Sequence, residues 1–591
     1  MDQSGRDPRE GPFRRTPARR SWILLLLPAV SVGCARAPGP APRPPVVIIS
    51  VDTLRADHLP AYGYRGVRTP AIDALAADSI LFVNAYSNVP LTLPSHAVLL
   101  TGLLPYENGV RDNAGFRLSP AHPTLAGILR SHSYAAGAAV SSFVLRGDRG
   151  LAAGFDSWDD SMPANPTRER AGVDSARVLQ RWAVLVKDRP LFLFLHLYEP
   201  HSPYSPPEPF RSRYASSPYD GEIAAADAAV GSFVGFLKRA GLYDRAVLIF
   251  VSDHGEGLGD HGEEEHGVFL YREALRVPIL LKKPGSRGAG RRISAPVSLL
   301  DVVPTVLSLL SIPVPASLHG LSLTSVAEAG APANRRIYSE SLYPRLNLGW
   351  SDLASLTEAR YHYIRAPRPE LYDLAADPGE RNDLAPGSPA PLRAMRAALE
   401  AMSRPFAMPE ASSPEELKKL AALGYVHPSP NAAPETPLPD PKDKVESLAA
   451  LRQLDRLYRV GRYGEAVLVA RTLVAREPPF LSAWIMLSDS LARTRRPADA
   501  IATLRQGIAR APEGISKDQL SEAYGNLSLL FKERHDLARQ EQALREAFER
   551  GVASEPMIRD LAGLLRESDR SAEAAALFRS LGDRPMPRKP R

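Results

Sequence analysis

The sequence predicts an α/β domain, with a sheet covered by helices on both faces, followed by an all-α repeat domain. Between residues 46 and 425, continuous apolar runs typical of strands buried on both faces alternate with helical patterns. Beyond residue 445 a spacing of 34 residues recurs, from Ala466 to Ala500 and from Pro478 to Pro512. That period is typical of tetratricopeptide-like helix pairs, although a generic helical bundle is the alternative. The 591 residues, 44% hydrophobic and 24% charged, suit a folded protein with more than one domain.

Residues 1–34 have the features of a secretory leader. An arginine-rich segment precedes the apolar run 21–30, which is shorter than the roughly 20 residues that span a bilayer. Cys34, the single cysteine of the chain, follows small residues as in a lipoprotein cleavage site. Plain secretion and an uncleaved anchor are the alternatives. We therefore expect an exported bacterial protein that resides in the periplasm or is an outer-membrane lipoprotein. Acylation of Cys34 would anchor it to the membrane.

The remaining boundaries follow from proline content and charge. We expect a Pro-rich tether over 35–45, a catalytic domain over 46–330 with its C-terminal part over 331–425, a Pro-rich linker over 426–444, and helical repeats over 445–591. The net charge of +7 is small for this length and comes partly from leader arginines. No nucleic-acid partner is expected, because aromatic and basic residues are not interleaved.

Several predicted strands lead into acidic or histidine residues that could bind a ligand or take part in catalysis. Strands are predicted over 46–51, 191–197, 246–251 and 278–281, and helices around 70–77, 94–101, 120–130, 173–186, 223–239 and 299–310. Three of the strands lead to Asp52, to Glu199 and His201, and to Asp253 and His254. A single aspartate there often only caps a helix. Three such strands together indicate a ligand site beyond the carboxyl ends of the sheet.

Two segments supply the chemistry. The stretch 253–267 is dense in glycine, carboxylates and histidine, which suits a divalent cation. Thr92 precedes a helix that Pro94 can begin, so its hydroxyl is expected near backbone N–H groups that favour anions. A hydroxyl attacks only when a base or a metal activates it. The alternative is that Thr92 serves as the helix N-cap.

The order of these motifs resembles that of the sulfatase family, in the alkaline phosphatase superfamily, over roughly residues 46–390. The resemblance rests on 52–57, 92–96, 199–204, 253–267, 276–278, 300–305 and 370–380. It implies an α/β sandwich with a small C-terminal sheet, and ester hydrolysis. It also implies one divalent metal ion, with Ca, Mn and Zn not distinguished, and a set of ligands and catalytic groups. The implied ligands are Asp52, Thr92, Asp253 and His254; the implied catalytic residues are Thr92, His201 and His266, with Arg55 and His96 beside them.

One departure from the family pattern changes the expected chemistry. Sulfatases carry Cys or Ser at the position of Thr92, and that residue is oxidised to formylglycine. Threonine cannot form this aldehyde, so the resemblance implies direct attack by Thr92 on a sulfuric or phosphoric ester. A small-molecule, glycan or lipid ester is the expected substrate. A transferase acting on envelope lipid or glycan, and an inactive sulfatase-like domain that serves as a protein-binding module, are the alternatives. The helical repeats are expected to bind a protein partner.

Overall fold

The structure, a computed structural model, describes residues 43–163, 169–186, 188–402, 437–511, 515 and 517–579. The predicted leader with Cys34, most of the predicted tether and residues 426–436 of the predicted linker lie outside these ranges. Within the described ranges, no helix combines the length and the apolar character needed to cross a membrane.

A nine-stranded mixed sheet forms the centre of the region predicted to be catalytic. Its strands lie in the order β4-β3-β5-β1-β6-β7-β2-β8, with β9 also paired to β2. Neighbours from β4 to β6 run parallel, whereas β7 is antiparallel to both β6 and β2. The strands are β1 Val46–Val51, β2 Ile80–Tyr86, β3 Ala135–Ala139, β4 Ser157–Asp159, β5 Leu191–Leu197, β6 Val247–Ser252, β7 Arg276–Lys282, β8 Arg292–Ile293 and β9 Val297–Ser298.

Helices cover both faces of this sheet, as the apolar runs predicted. In β1, Val46 and Ile48 belong to one apolar cluster, whereas Val47 and Ile49 belong to another on the opposite face. The alternation is that of a strand buried on both faces. The helices are α1 Pro70–Ala77, α2 Thr92–Thr101, α3 Pro105–Asn108, α4 Leu125–Ser131, α5 Gly172–Leu185, α6 Phe210–Arg213, α7 Pro218–Arg239, α8 Arg272–Leu275, α9 Val302–Leu309, α10 Leu323–Ala329 and α11 Pro389–Met402.

The register of the three central strands explains why chemical residues meet at one edge. Strand β1 pairs in parallel with β5 and with β6, so Val51 lies beside Leu197 and Ser252. The residues that follow these positions, including Asp52 and Asp253, therefore leave the sheet at the same edge. This edge is where ligands bind on α/β sheets.

A smaller sheet and a helical region complete the described chain. The smaller sheet is antiparallel, in the order β10-β11-β12-β13, with strands Ile337–Ser341, Leu353–Thr357, Tyr361–Arg365 and Glu370–Asp373. In the helical region Ala466 and Ala500, the residues of the predicted repeat, are both fully buried. Its helices are α12 Val445–Arg459, α13 Tyr463–Arg476, α14 Leu481–Arg493, α15 Pro497–Arg510, α16 Lys517–Glu533, α17 Leu537–Glu549, α18 Glu555–Glu567 and α19 Ser571–Arg579.

Candidate active site

Four residues that the sequence singles out meet beyond β1 and β6. His254 Nε2 lies 3.6 Å from Asp52 Oδ1 and 3.5 Å from Asp253 Oδ2. Thr92 Oγ1 lies 3.4 Å from the same nitrogen. All four residues are fully buried. Two carboxylates, an imidazole and a hydroxyl thus face one another with their side chains buried in the protein.

The position of Thr92 is fixed by contacts around the start of α2. Thr92 is the first helical residue and Leu91 is the N-cap, so Thr92 neither precedes the helix nor caps it, contrary to the sequence expectation. The next residue, Leu93, donates its N–H to Asn113 Oδ1 at 2.8 Å. The hydroxyl of Ser95 donates to the carbonyl of Asp253 at 2.6 Å. These bonds tie the helix start directly to the strand end that carries Asp253.

The hydrogen bonds of His254 determine which of its two ring nitrogens is unprotonated and directs a lone pair at the cluster. Nδ1 lies 3.0 Å from the carbonyl oxygen of Gly255, which can only accept. Nδ1 therefore carries the proton, and Nε2 presents its lone pair to Thr92, Asp52 and Asp253. A neutral imidazole held in this way is the form that binds metal ions.

His96 and His196 lie beside the same carboxylates but present N–H groups. His96 Nδ1 donates to the carbonyl of Thr92 at 2.7 Å and lies 3.6 Å from Asp253 Oδ2. His196 Nδ1 accepts the N–H of Ser141 at 3.3 Å, which leaves the proton on Nε2, 3.5 Å from Asp52 Oδ2. Both imidazoles are therefore better placed to orient the carboxylates and Thr92 than to bind a cation.

The charge balance of the cluster fits a divalent cation held by Asp52, Asp253 and His254. Both carboxylate oxygens of Asp52, and Oδ2 of Asp253, accept no hydrogen bond from a described residue. Burial raises the pKa of both aspartates well above its usual range, and burial lowers that of His254 well below its usual range. Two buried carboxylates with three oxygens left without a hydrogen bond are costly without a compensating charge. Among the described residues, these three form one of two groups whose ligand atoms lie close enough to hold an ion.

The second such group combines His96, His196 and Asp253. Its two imidazoles direct N–H groups toward the carboxylates, as their hydrogen bonds require. The Asp52, Asp253 and His254 group is therefore the better cation site.

A strained turn aims Asp52 at the cluster. Thr53, the next residue, has φ of 53°, a left-handed conformation that a β-branched residue rarely adopts. Its N–H donates to Asp253 Oδ1 at 3.2 Å, and its carbonyl accepts the hydroxyl of Tyr219 at 2.7 Å. Strain of this kind persists where surrounding contacts fix it, as at functional sites.

Two further histidines, His266 and His201, lie near His254. The ring centroids of His254 and His266 lie 4.4 Å apart, and those of His266 and His201 lie 5.0 Å apart. His266 Nδ1 lies 2.9 Å from Glu256 Oε1, and Tyr204 donates to Oε2 of the same carboxyl group at 2.9 Å. Burial lowers the pKa of His201 to about 4 and that of His266 to about 3, and burial raises that of Glu256 to about 8.

Arg55 supports the site from outside the cluster. Its guanidinium pairs with Asp57 at 2.8 Å and with Asp260 at 2.9 Å. It also donates to the backbone carbonyls of Glu256 and Gly257, at 3.2 and 3.3 Å. These contacts make Arg55 a brace of the loop that follows β6, and its charge is offset by the two aspartates.

Comparison with known proteins identifies the class. Residues 44–312 match the family model described as Sulfatase, and residues 259–400 match that described as N-sulphoglucosamine sulphohydrolase, C-terminal. The ulvan-active sulfatase of Formosa agariphila is 27% identical over 398 residues, which cover 58% of this chain and 77% of that protein. Arylsulfatase K of Gallus gallus is 26% identical over 450 residues, covering 61% and 83%.

The fold comparison agrees with these matches. The crystal structure of the phosphonate monoester hydrolase of Agrobacterium radiobacter superposes with a TM-score of 0.51 at 24% identity, over 61% of this chain and 94% of that chain. Residues 44–312 thus resemble the sulfatase family in sequence, and the fold of the matched region agrees with that likeness. The chain is a sulfatase-like ester hydrolase.

Several residues of the site carry no signal in the sequence. Asn113 holds the start of α2, and Ser141 sets the tautomer of His196. Each is a common polar residue in a loop, and only the folded backbone gives it a role. Glu256 falls within the stretch 253–267 that the sequence marks as chemical, but its pairing with His266 depends on the turn between them.

Proposed function

We propose that the chain hydrolyses sulfuric or phosphoric esters, with Thr92 as the nucleophile and a divalent cation bound by Asp52, Asp253 and His254. One observation carries the proposal. The Thr92 hydroxyl lies 3.4 Å from the imidazole nitrogen of His254 that presents a lone pair, between two buried carboxylates. A bound divalent cation would lower the pKa of this hydroxyl and offset charge on the transferred group.

The side chains of this site suit a two-step displacement. In the first step the Thr92 oxygen, having lost its proton to water, bonds to sulfur or phosphorus while the bond to the leaving oxygen breaks. The leaving oxygen takes a proton from an imidazole. In the second step water cleaves the threonine ester, which releases sulfate or phosphate and restores the hydroxyl. His96, which donates to the Thr92 carbonyl at 2.7 Å, keeps the nucleophile in place through both steps.

Hydrogen bonding favours His266 over His201 as the proton donor. His201 Nδ1 faces the carbonyl oxygen of Ser202 at 2.6 Å, so Nδ1 carries the proton and a neutral ring has none at Nε2. His266 Nδ1 instead faces the carboxyl group of Glu256, which can donate as well as accept. Neutral His266 can therefore carry its proton at Nε2 and donate it to a leaving oxygen while the protonated carboxyl group of Glu256 passes its own proton to Nδ1, so that the ring stays neutral. General acid catalysis of this kind is worth about 10²–10⁴-fold.

The test is a substrate panel with matched variants of the full-length chain. An aryl sulfate, a phosphate monoester, a phosphate diester and a phosphonate monoester are assayed, and bound metal is measured in the same samples. Wild type is expected to turn over at least one ester. Thr92→Ala is expected to lose turnover while its metal content is unchanged.

The control is Thr101→Ala, at the other end of α2. Thr101 is also buried, but its hydroxyl bonds only backbone groups: it donates to the carbonyl of Ala97 and accepts the N–H of Leu103. This variant is expected to keep activity. Turnover by Thr92→Ala equal to that of wild type would exclude Thr92 as nucleophile. Analysis of the products with an added alcohol acceptor separates hydrolysis from group transfer.

A further inference from the structure

The first helix of the helical region packs against the loop that carries the site. We call residues 253–267 the site loop. At Gly262, an added Cβ would lie only 2.3 Å from Val445 Cγ1 at the start of α12. One turn apart along the same helix, Arg452 pairs with Glu265 at 2.7 Å and Arg456 pairs with Glu264. Helix α12 thus contacts three positions of the loop that begins with Asp253 and His254.

The two ion pairs differ in their environment. The side chains of Arg452 and Glu265 are only 8% and 17% exposed, whereas those of Arg456 and Glu264 are 54% and 40% exposed. Burial raises the pKa of Glu265, but the pKa is lowered overall, and the positive charge of Arg452 is the largest cause that lowers it. The inner pair is therefore a buried, charged contact whose loss leaves an uncompensated carboxylate.

The inner pair is linked to both histidines that flank His254. The hydroxyl of Ser202 donates to Glu265 Oε1 at 3.2 Å, and the carbonyl of Ser202 accepts from His201 Nδ1 at 2.6 Å. Arg452 Nη2 also donates to the backbone carbonyl of His266 at 3.5 Å. Arg452 and Glu265 thus contact the backbone of one histidine and the hydrogen-bond partner of the other.

We propose that Arg452 is a positioning residue, which holds Glu265 and the site loop so that His201 and His266 face the leaving group. The helical region then completes the active site and is not solely a separate binding module. This inference rests on the proposed function, because it assumes that one of these imidazoles protonates the leaving oxygen. Arg452 acts through other residues and touches no reacting atom.

The test is Arg452→Met in the full-length chain, with Arg456→Met as the matched control. Each variant loses a charge that pairs with the site loop, but the control pair is exposed. Both are assayed on two esters of the acid that wild type hydrolyses, one of 4-nitrophenol and one of phenol. Phenoxide is the poorer leaving group and depends more on proton donation.

Arg452→Met is expected to lower kcat by about 10- to 100-fold, as loss of a residue that orients a catalytic group does. The loss on the phenyl ester should exceed that on the nitrophenyl ester by at least about 10-fold, because proton donation is impaired. KM should change little. Arg452→Lys should recover part of kcat, and Arg456→Met should stay within about 2-fold of wild type, as exposed pairs contribute little.

Two results would overturn the inference: wild-type kcat in Arg452→Met, or an equal loss on both esters. If Arg452→Met does not fold, Glu265→Gln removes the charge at the other end of the pair with nearly unchanged volume, and the same comparison applies. Failure of the proposed function gives a different pattern. In that case wild type turns over no ester, or Thr92→Ala stays active, whatever the Arg452 variants do.

Discussion

Gly255, directly after His254, is the glycine of the site loop at which an added Cβ would meet a neighbouring backbone atom at the shortest distance. A Cβ added there would lie 1.9 Å from the carbonyl oxygen of Glu273, whereas ordinary contact begins at 3.4 Å. Hydrogen bonds from Gly255 to Ala274 and from Glu256 to Glu273, at 2.8 and 3.1 Å, hold the two segments together. Gly255→Ala must therefore move backbone by about 1.5 Å next to a proposed metal ligand.

This displacement sets the expected size of the effect. A misplacement of about 1 Å at a reacting centre can cost about 100-fold in rate, so kcat/KM of Gly255→Ala should fall by at least this factor. The free energy of unfolding should fall by about 1–3 kcal/mol, as for overpacked sites. The assay compares kcat/KM, bound metal and urea unfolding of the variant with those of wild type.

Gly259→Ala in the same loop is the control. Gly259 has φ of 90° and no atom within 4 Å of an added Cβ, so alanine costs only backbone strain, about 1–2 kcal/mol. It should keep nearly all of the activity. If Gly255→Ala kept kcat/KM within about 3-fold of wild type, the loop would not hold His254 in the way that we argue.

Three further predictions follow from charge and burial. Burial raises the pKa of Asp112 from 3.8 to about 7, so the folded chain binds this proton more tightly than the unfolded chain and loses stability as pH rises from about 4 to about 7. Asp112→Asn should remove that loss. Measured by urea unfolding, the free energy of unfolding of the variant relative to wild type should be higher at pH 8 than at pH 3.5 by up to about 4 kcal/mol. An equal difference between variant and wild type at both pH values would contradict this prediction. A chelator should lower Tm and a divalent cation should restore it, since a ligand at 100 times its Kd stabilises by about 2.7 kcal/mol; an unchanged Tm would argue against a bound ion. The positive charges of Arg55 and Arg452 are both offset by carboxylates, so neither arginine compensates a second negative charge on the substrate. The kcat/KM for a singly charged aryl sulfate or phosphate diester should therefore exceed that for a doubly charged phosphate monoester by at least about 100-fold. The reverse order would refute this charge argument.

The sequence predicted the central strands because their apolar runs are long and end in distinctive residues. Val46–Val51 and Leu191–Leu197 are strands over the predicted residues, and the third begins at Val247, one residue later than predicted. The start of α2 was less predictable. Pro94 suggests the first turn, but the helix already begins at Thr92, because contacts from Asn113 and Asp253 stabilise its first residues.

The composition of the site was also more predictable than its geometry. Asp52, Thr92, Asp253 and His254 lie together, as the order of motifs implied. The roles of the surrounding histidines could not be read from the sequence, because their tautomers depend on carbonyl and N–H groups from other segments. The contact of Arg452 with the site loop was equally invisible, since one arginine on a helix rich in arginine carries no signal.

The configuration at the transferred sulfur or phosphorus is the most direct test of attack by Thr92. A substrate made chiral at that atom by a thio substitution together with oxygen isotopes is hydrolysed by the wild-type chain in water labelled with the remaining oxygen isotope, and the product configuration is determined. Attack by Thr92 followed by attack of water inverts the centre twice, so we predict net retention. Net inversion would show that water attacks the ester directly, and would contradict the account of Thr92 as the nucleophile.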